Sequence, residues 1–386
     1  MMRHAEGGTQ GSMADYPAGV RRVPPAIVAA LLLLAPQAAR AQRERTISSE
    51  PTCSHCTISL SPVVTLRSET APDLTSSSIV VQRGADYLVA PVGDRSQIAV
   101  FGHSGRFGRA IGRAGEGPGE FENIRALTVL ADGRLVVLDR RLTMLTAESR
   151  PLASRALPPS VAAFRMAALT DGHLVLNNYL PGQLPLCLFT PALELEKCFG
   201  GGDAHPIGDA MQRVLAVSPD GTFWAARQQY RYAIEHWDRS GHLLGTIARD
   251  VPWFPPTDPA QDPHALPTQV RPLPRVSGLW LDNAGHLWTA VLVPDAHWRA
   301  TDSRPAGGGE RRSRIPTPGE WATYFDTIVE VIDVRAGRVL TSRRFPGALG
   351  GFTRDGLLVE LGEDGDGLIT ARLSRLAIMD ETTRER

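Results

Sequence analysis

From residue 57 onward the chain is a series of short apolar runs broken by Gly, Asp and Pro, with no long segment of helical spacing. One phrase recurs: Asp or Asn with Gly, followed by a run of large apolar residues. It stands as DGRLVVLD at 132–139, DGHLVLNN at 171–178, DGTFWAAR at 220–227, NAGHLWTA at 283–290 and DGLLVEL at 355–361. GADYLVAP at 84–91 is a looser first copy, which makes six. Each copy is preceded by another apolar run, at 78–81, 124–130, 164–169, 214–218, 276–281 and 349–353. Candidate hairpins follow, clearest at 98–111, 232–247 and 328–345 and weaker at 144–157 and 187–199. Asp-Gly, Ser-Gly and Ala-Gly at the turns supply the positive φ that tight hairpins need.

Four antiparallel strands per unit, six times over, predict an all-β six-bladed β-propeller. The sixth unit runs short. After 368–378 only a polar tail remains, at 380–386. The strand-like run 57–66 has the right length to stand in for the missing strand. It is expected to complete the last blade and close the ring, which removes open sheet edges. The expected organisation is therefore a leader at 1–41, an N-terminal segment with a CxxC at 42–56, the propeller at 57–379 and the tail.

Connectivity then sorts the loops. With strands a to d running from axis to rim, d-to-a and b-to-c connections share one face, and a-to-b and c-to-d turns share the other. Asp132-Gly133, Asp171-Gly172, Asp220-Gly221 and Ser240-Gly241 are minimal, so their face reads as structural. The long segments 112–123, 177–185, 200–212, 249–275 and 294–320 fall on the opposite face, where function is expected. Candidate ligand-binding residues there are Arg113, Glu116, Asn178 and Tyr179, then Asp203, His205, Asp209 and His264, and finally His297 and Trp298. Trp253, Trp298 and Trp321 could line a groove, whereas Trp224, Trp280 and Trp288 are expected to pack between blades.

Of the ten histidines, only His205, His264 and His297 belong to the long-loop face. They are candidates for a zinc or calcium-associated site, although ordinary surface histidines are the favoured reading and no cofactor is expected. The loop 112–119 is glycine-rich, but no helix follows and no Lys-Ser/Thr closes it. It reads as a blade junction. The acidic run 363–367 lacks the spaced ligands of an EF-hand loop and reads as a turn of the last blade. No GxSxG or SxxK marks a serine nucleophile.

Composition adds an address. Arg21-Arg22, the apolar run 27–34 and Ala39-Arg40-Ala41 have the order of a secretory signal peptide, whether translation starts at Met1 or Met13. The apolar run is shorter than the about 20 residues a membrane span needs. A periplasmic or extracellular, monomeric protein is expected. Its four cysteines lie after the leader, where disulfides are permitted. Cys187 and Cys198 are equidistant from a turn and expected to pair. Cys53 and Cys56 read as a structural pair rather than a redox dithiol or half a zinc site. The formal net charge is zero, so nothing points to nucleic acid.

The phrase at 98–121, IAVFGHSGRFGRAIGRAGEGPGEF, resembles the NHL-type six-bladed β-propellers of secreted bacterial proteins. Ile98, Val100, Phe101, Gly105, Phe107, Arg109, Ile111, Gly112, Arg113, Gly115, Gly117, Pro118, Gly119, Glu120 and Phe121 carry the resemblance. It implies the fold and leaves the activity open, since such propellers serve as binding scaffolds, lyases and lactonases. The expected function is a non-enzymatic module binding a protein, peptide or glycan. The alternative is a metal-dependent lyase or lactonase-type hydrolase with an axial site built from Asn178, Asp203, His205 and Asp209.

Overall fold

A computed structural model describes residues 44–72, 74–92, 96–180, 182–201, 212–257, 270–300 and 317–380. Strands β1 (Glu44–Ile47) and β2 (Cys56–Leu66) come first. Blade 1 follows as β3 (Ile79–Arg83), β4 (Asp86–Ala90), β5 (Ile98–Phe101) and β6 (Phe107–Ile111). Blade 2 is β7 (Ala126–Val129), β8 (Leu135–Leu138), β9 (Arg141–Leu145) and β10 (Pro151–Ala156). Blade 3 is β11 (Ala163–Ala168), β12 (Leu174–Asn178), β13 (Leu186–Phe189) and β14 (Leu195–Phe199). Blade 4 is β15 (Arg213–Val217), β16 (Phe223–Arg227), β17 (Ala233–Trp237) and β18 (Leu243–Arg249). Blade 5 is β19 (Arg275–Leu281), β20 (His286–Pro294), β21 (Phe325–Asp333) and β22 (Arg338–Phe345), with helix α1 (Pro318–Tyr324) before β21. Blade 6 contributes β23 (Leu349–Phe352), β24 (Leu357–Glu363) and β25 (Ile369–Asp380).

The chain is a six-bladed β-propeller. The fourth strand of blade 6 is β2, which runs antiparallel to β25 from Cys56 opposite Asp380 to Leu66 opposite Ala371. Strand β1 adds a feature absent from the sequence expectation. It lies parallel to β18 and makes blade 4 five-stranded. Between them the chain crosses blade 5, where the Thr52 and Cys53 amides donate to the carbonyls of Val339 and Leu340. The N-terminal segment thus belts blades 4, 5 and 6.

Why the runs are apolar throughout, rather than alternating, follows from the packing. Each blade is buried on both faces, so both sets of side chains must be apolar. In β8, Leu135 and Val137 face the cluster shared with blade 1, whereas Val136 and Leu138 face the cluster shared with blade 3. One such cluster lies at each of the six blade junctions. Trp224 and Trp288 are buried in two of them, and Trp280 packs against Trp288 and Phe352. The outermost β10 is exposed at every position.

Both turn chemistry and the glycine loop have local causes. In the first turns of blades 3, 4 and 5 the Asp accepts a main-chain N–H two residues on: His173 donates to Asp171, Thr222 to Asp220 and Ala284 to Asp282. In the loop after β6, Gly112 has a φ of 86°, and a Cβ there would lie 2.6 Å from the Phe121 ring. Phe121 is fully buried between blades 1 and 2. The Glu120 carboxylate turns back to accept the Gly117 amide at 2.8 Å and the Arg113 guanidinium at 2.7 Å. The glycines therefore let a blade junction close over Phe121, as the motif predicts.

Candidate functional site

Every inner strand begins at the long-loop end of the axis, because d-to-a connections lead into it. Of these connections, the described parts 112–125, 251–257 and 270–274 lie there, as do the b-to-c parts 182–185, 295–300 and 317–324. The six inner strands surround an axial cavity of about 660 Å³, lined by Phe164, Arg165, Met166, Leu215, Trp280 and Phe352 among others. At the short-turn end, Arg354 reaches from blade 6 to the Val129 carbonyl of blade 2, 3.2 Å away. That end is bridged.

The mouth at the other end is cationic and aromatic. Arg125 precedes β7, Arg165 lies in β11, and Arg213 and Arg275 begin β15 and β19. Arg213 is neutralised: it and Arg227 flank Glu235, at 3.3 and 3.1 Å. Burial pushes the Glu235 carboxyl up, but the Arg213 and Arg227 charges outweigh it and hold the group below its ordinary range. The other three arginines have no carboxylate partner among the described residues. The Arg125 guanidinium stands 5.4 Å from the Phe164 ring centroid, and its buried Nε has no acceptor. Phe164 is stacked on Tyr179 at 4.6 Å. Arg275 lies over Trp321 at 4.6 Å and Phe325 at 5.1 Å. Burial lowers the Arg165 pKa, and burial together with the Arg165 charge brings Arg275 down to about 10. Arg275 therefore remains a cation at neutral pH.

The residues expected from sequence fare differently. Tyr179 joins the mouth through Phe164. Asn178 is fully buried, its amide spent on scaffolding: Ala162 and Leu180 N–H donate to its oxygen, and its nitrogen donates to Ser160. Arg113 is engaged with Glu120, and Glu116 stands 3.8 Å from Arg140 on the exposed surface. His297 is exposed in the turn after β20, where Asp295 accepts its amide, and Trp298 is half-buried beside it. Asp203, His205, Asp209 and His264 lie outside the described residues, as do the leader, the tail from 381 and the insertion 301–316. Trp253 packs on Tyr232 and Phe254 rather than lining a groove.

Among the described residues, one group has metal-ligand character, Cys53 with His55 and Cys56. Its two sulfurs are joined as a disulfide, which leaves a single imidazole. A second disulfide joins Cys187 and Cys198, directly opposite each other in β13 and β14. No helix among the described residues is long and apolar enough to cross a membrane.

Comparisons with known proteins agree with this architecture. The family DUF5128, described as a 6-bladed beta-propeller, matches residues 80–172. That stretch includes the hairpin and glycine loop. No curated protein matches the sequence significantly. Among solved structures, a candidate exported protein from Bacteroides fragilis NCTC 9343 is similar with a TM-score of 0.55 and 11% identity, over 86% of this chain and 99% of that one. Virginiamycin B lyase from Staphylococcus aureus, in a complex with quinupristin, gives a TM-score of 0.46 and 12% identity over 84% and 100% of the two chains. A Bacteroides caccae protein of unknown function gives 0.42 and 11% over 77% and 91%. At such identities the first of these supports the fold alone.

Arg125, Arg165 and Arg275 were not singled out by the sequence reading, yet a signal exists. Arg125, Arg213 and Arg275 each stand seven residues before the turn aspartate of their blade, Asp132, Asp220 and Asp282. Arg165 stands six before Asp171, and β11 carries a register shift between Ala163 and Arg165. Aligning the six units on their turns exposes this column.

Proposed function

We propose that the protein is an exported, non-enzymatic binding module that takes its ligand on the long-loop face, at the mouth of the axial cavity. The observation that carries this reading is the character of that mouth. An axial metalloenzyme site concentrates acids, Asn and His on the axis, whereas the mouth here presents Arg125, Arg165 and Arg275 beside Phe164, Tyr179 and Trp321. Aromatic and arginine side chains are the residues that dominate recognition surfaces. Export is supported by the leader-like order of residues 1–41 and by two disulfides, which an oxidising compartment sustains. The NHL-type resemblance of 98–121 fits the same reading.

Elemental metal analysis tests it, on protein purified without chelator or affinity nickel. The expected result is no stoichiometric metal and no rise in melting temperature on adding zinc or calcium. About one zinc or calcium per chain, lost with thermal stability in His205→Ala, would replace the binding module with a metal-dependent lyase or lactonase.

A further inference from the structure

We infer that the cavity mouth is a site for a small organic anion, in which Arg165 and Arg275 grip a carboxylate or phosphate and an apolar body rests on the Phe164–Tyr179 stack. This rests on the long-loop face being the binding face, and it names the ligand class.

A cation held partly out of water without an anion is costly, and folded proteins normally pair such groups or leave them in solvent. In this chain the pairing rule is obeyed elsewhere. Arg213 has Glu235, and Arg249 has Glu330 at 2.6 Å with both side chains almost wholly buried. At the mouth three partly buried arginines have no such partner among the described residues. Arg165 lines the cavity, Arg275 begins the inner strand two blades on, and Arg125 keeps a buried Nε without an acceptor. Arg165 and Arg275 both stand at the mouth end of an inner strand, the first lining the cavity and the second starting β19, and the charge of each opposes that of the other. An anion between them converts both penalties into charge-assisted, forked hydrogen bonds.

The surroundings narrow the class further. Trp321 and Phe325 hold Arg275 from one side, which fixes the plane of its guanidinium. Phe164, partly exposed and stacked on Tyr179, offers a flat apolar surface next to Arg165 in the chain. Below the mouth the cavity has the size that accepts a drug-sized molecule, and Arg354 bridges its far end. A ligand with one anionic head and a flat or apolar body satisfies all of these groups at once.

The probes are phenylacetate and phenyl phosphate, with 2-phenylacetamide as the neutral counterpart, titrated calorimetrically into the purified protein. Binding of at least one anion is expected, weakening with added salt, and the amide should be silent. Which anion is preferred separates a carboxylate ligand from a phosphate ligand. Arg165→Gln and Arg275→Gln should each weaken binding about tenfold or more, the loss of one charged hydrogen bond. Arg165→Met should unfold at a higher temperature than the parent in ligand-free buffer, because an uncompensated charge is removed. Two results overturn the site: neither anion binds the parent protein, or both Gln variants bind as tightly as the parent. Should a Gln variant fail to fold, Arg165→Lys and the salt dependence of the parent decide in its place. A metal-bearing protein that binds the anions would overturn the non-enzymatic reading and leave this site standing. A metal-free protein that ignores them would overturn this inference alone.

Discussion

Arg249 is a wholly buried charge. Its guanidinium donates to Glu330 at 2.6 and 3.2 Å and to the carbonyls of Ile47, Ser48 and Ser49. Tyr232 completes the network by donating to Glu330 at 2.9 Å, and its hydroxyl also meets Thr289 at 2.7 Å. Burial, reinforced by the Glu330 charge, pushes the Tyr232 pKa well above its ordinary value, so the phenol stays a donor. Removing the charge of one partner strands the other in an apolar junction. Glu330→Gln is therefore expected to cost roughly 3–5 kcal/mol, measured by denaturant unfolding, whereas the double variant Arg249→Met/Glu330→Met should recover most of that loss. Gly112 illustrates the backbone equivalent. Ala at that position would need a φ of 86° and would drive a Cβ into the Phe121 ring, so Gly112→Ala should cost about 1–3 kcal/mol in the same assay. The glycine was legible from its motif, because the loop could be read as a junction. Arg249 was not, since an arginine ahead of a long loop looks solvated until the fold brings residues 47–49 and Glu330 to it.

Strands follow the same rule of local signal against distant partner. The inner three strands of each blade were legible because two buried faces demand unbroken apolar runs, and the turn aspartates mark where each run reverses. Strand β1 was illegible. Its ERTI carries one buried residue, Ile47, and its pairing depends wholly on the free edge of β18. Within blade 4, Glu235 on β17 sits opposite Ala225 of β16, between Arg213 of β15 and Arg227 of β16, so one carboxylate ties three strands together. Its pKa is lowered on folding from an ordinary 4.5. The stabilisation it supplies is then fully present above pH 4.5 and is lost as the pH falls through the lower, folded-state value. Unfolding free energy measured from pH 6 down to 3 should fall, and Glu235→Gln should flatten that slope while lowering stability at pH 6. An unchanged slope in the variant would show that the turn aspartates, not Glu235, set the acid limit.

At the scale of the whole ring, closure depends on a strand far from its blade in sequence. β2 buries Ile58 in the junction between blades 5 and 6 and Leu66 in the junction between blades 6 and 1. Each fully buried aliphatic side chain contributes about 1.5–3 kcal/mol, and β2 also pairs along nearly the whole length of the twelve-residue β25. The belt before it contributes differently: β1 covers the edge of blade 4, and Ile47 with Ser48 and Ser49 after it supplies carbonyls to Arg249. These two roles separate by truncation. A chain starting at residue 51 keeps the Cys53–Cys56 disulfide and β2, and it should match the full chain in light scattering while melting at a lower temperature, because Arg249 loses its carbonyl acceptors but keeps Glu330. A chain starting at residue 67 leaves β25 as a long open edge beside two exposed junctions. It should self-associate and lose its single cooperative transition, since an unpaired edge of that length recruits strands from other copies. If the shorter chain stayed monomeric with an unchanged melting temperature, the ring would owe its stability to the six inner strands around the axis, and β2 would be a cover rather than a clasp.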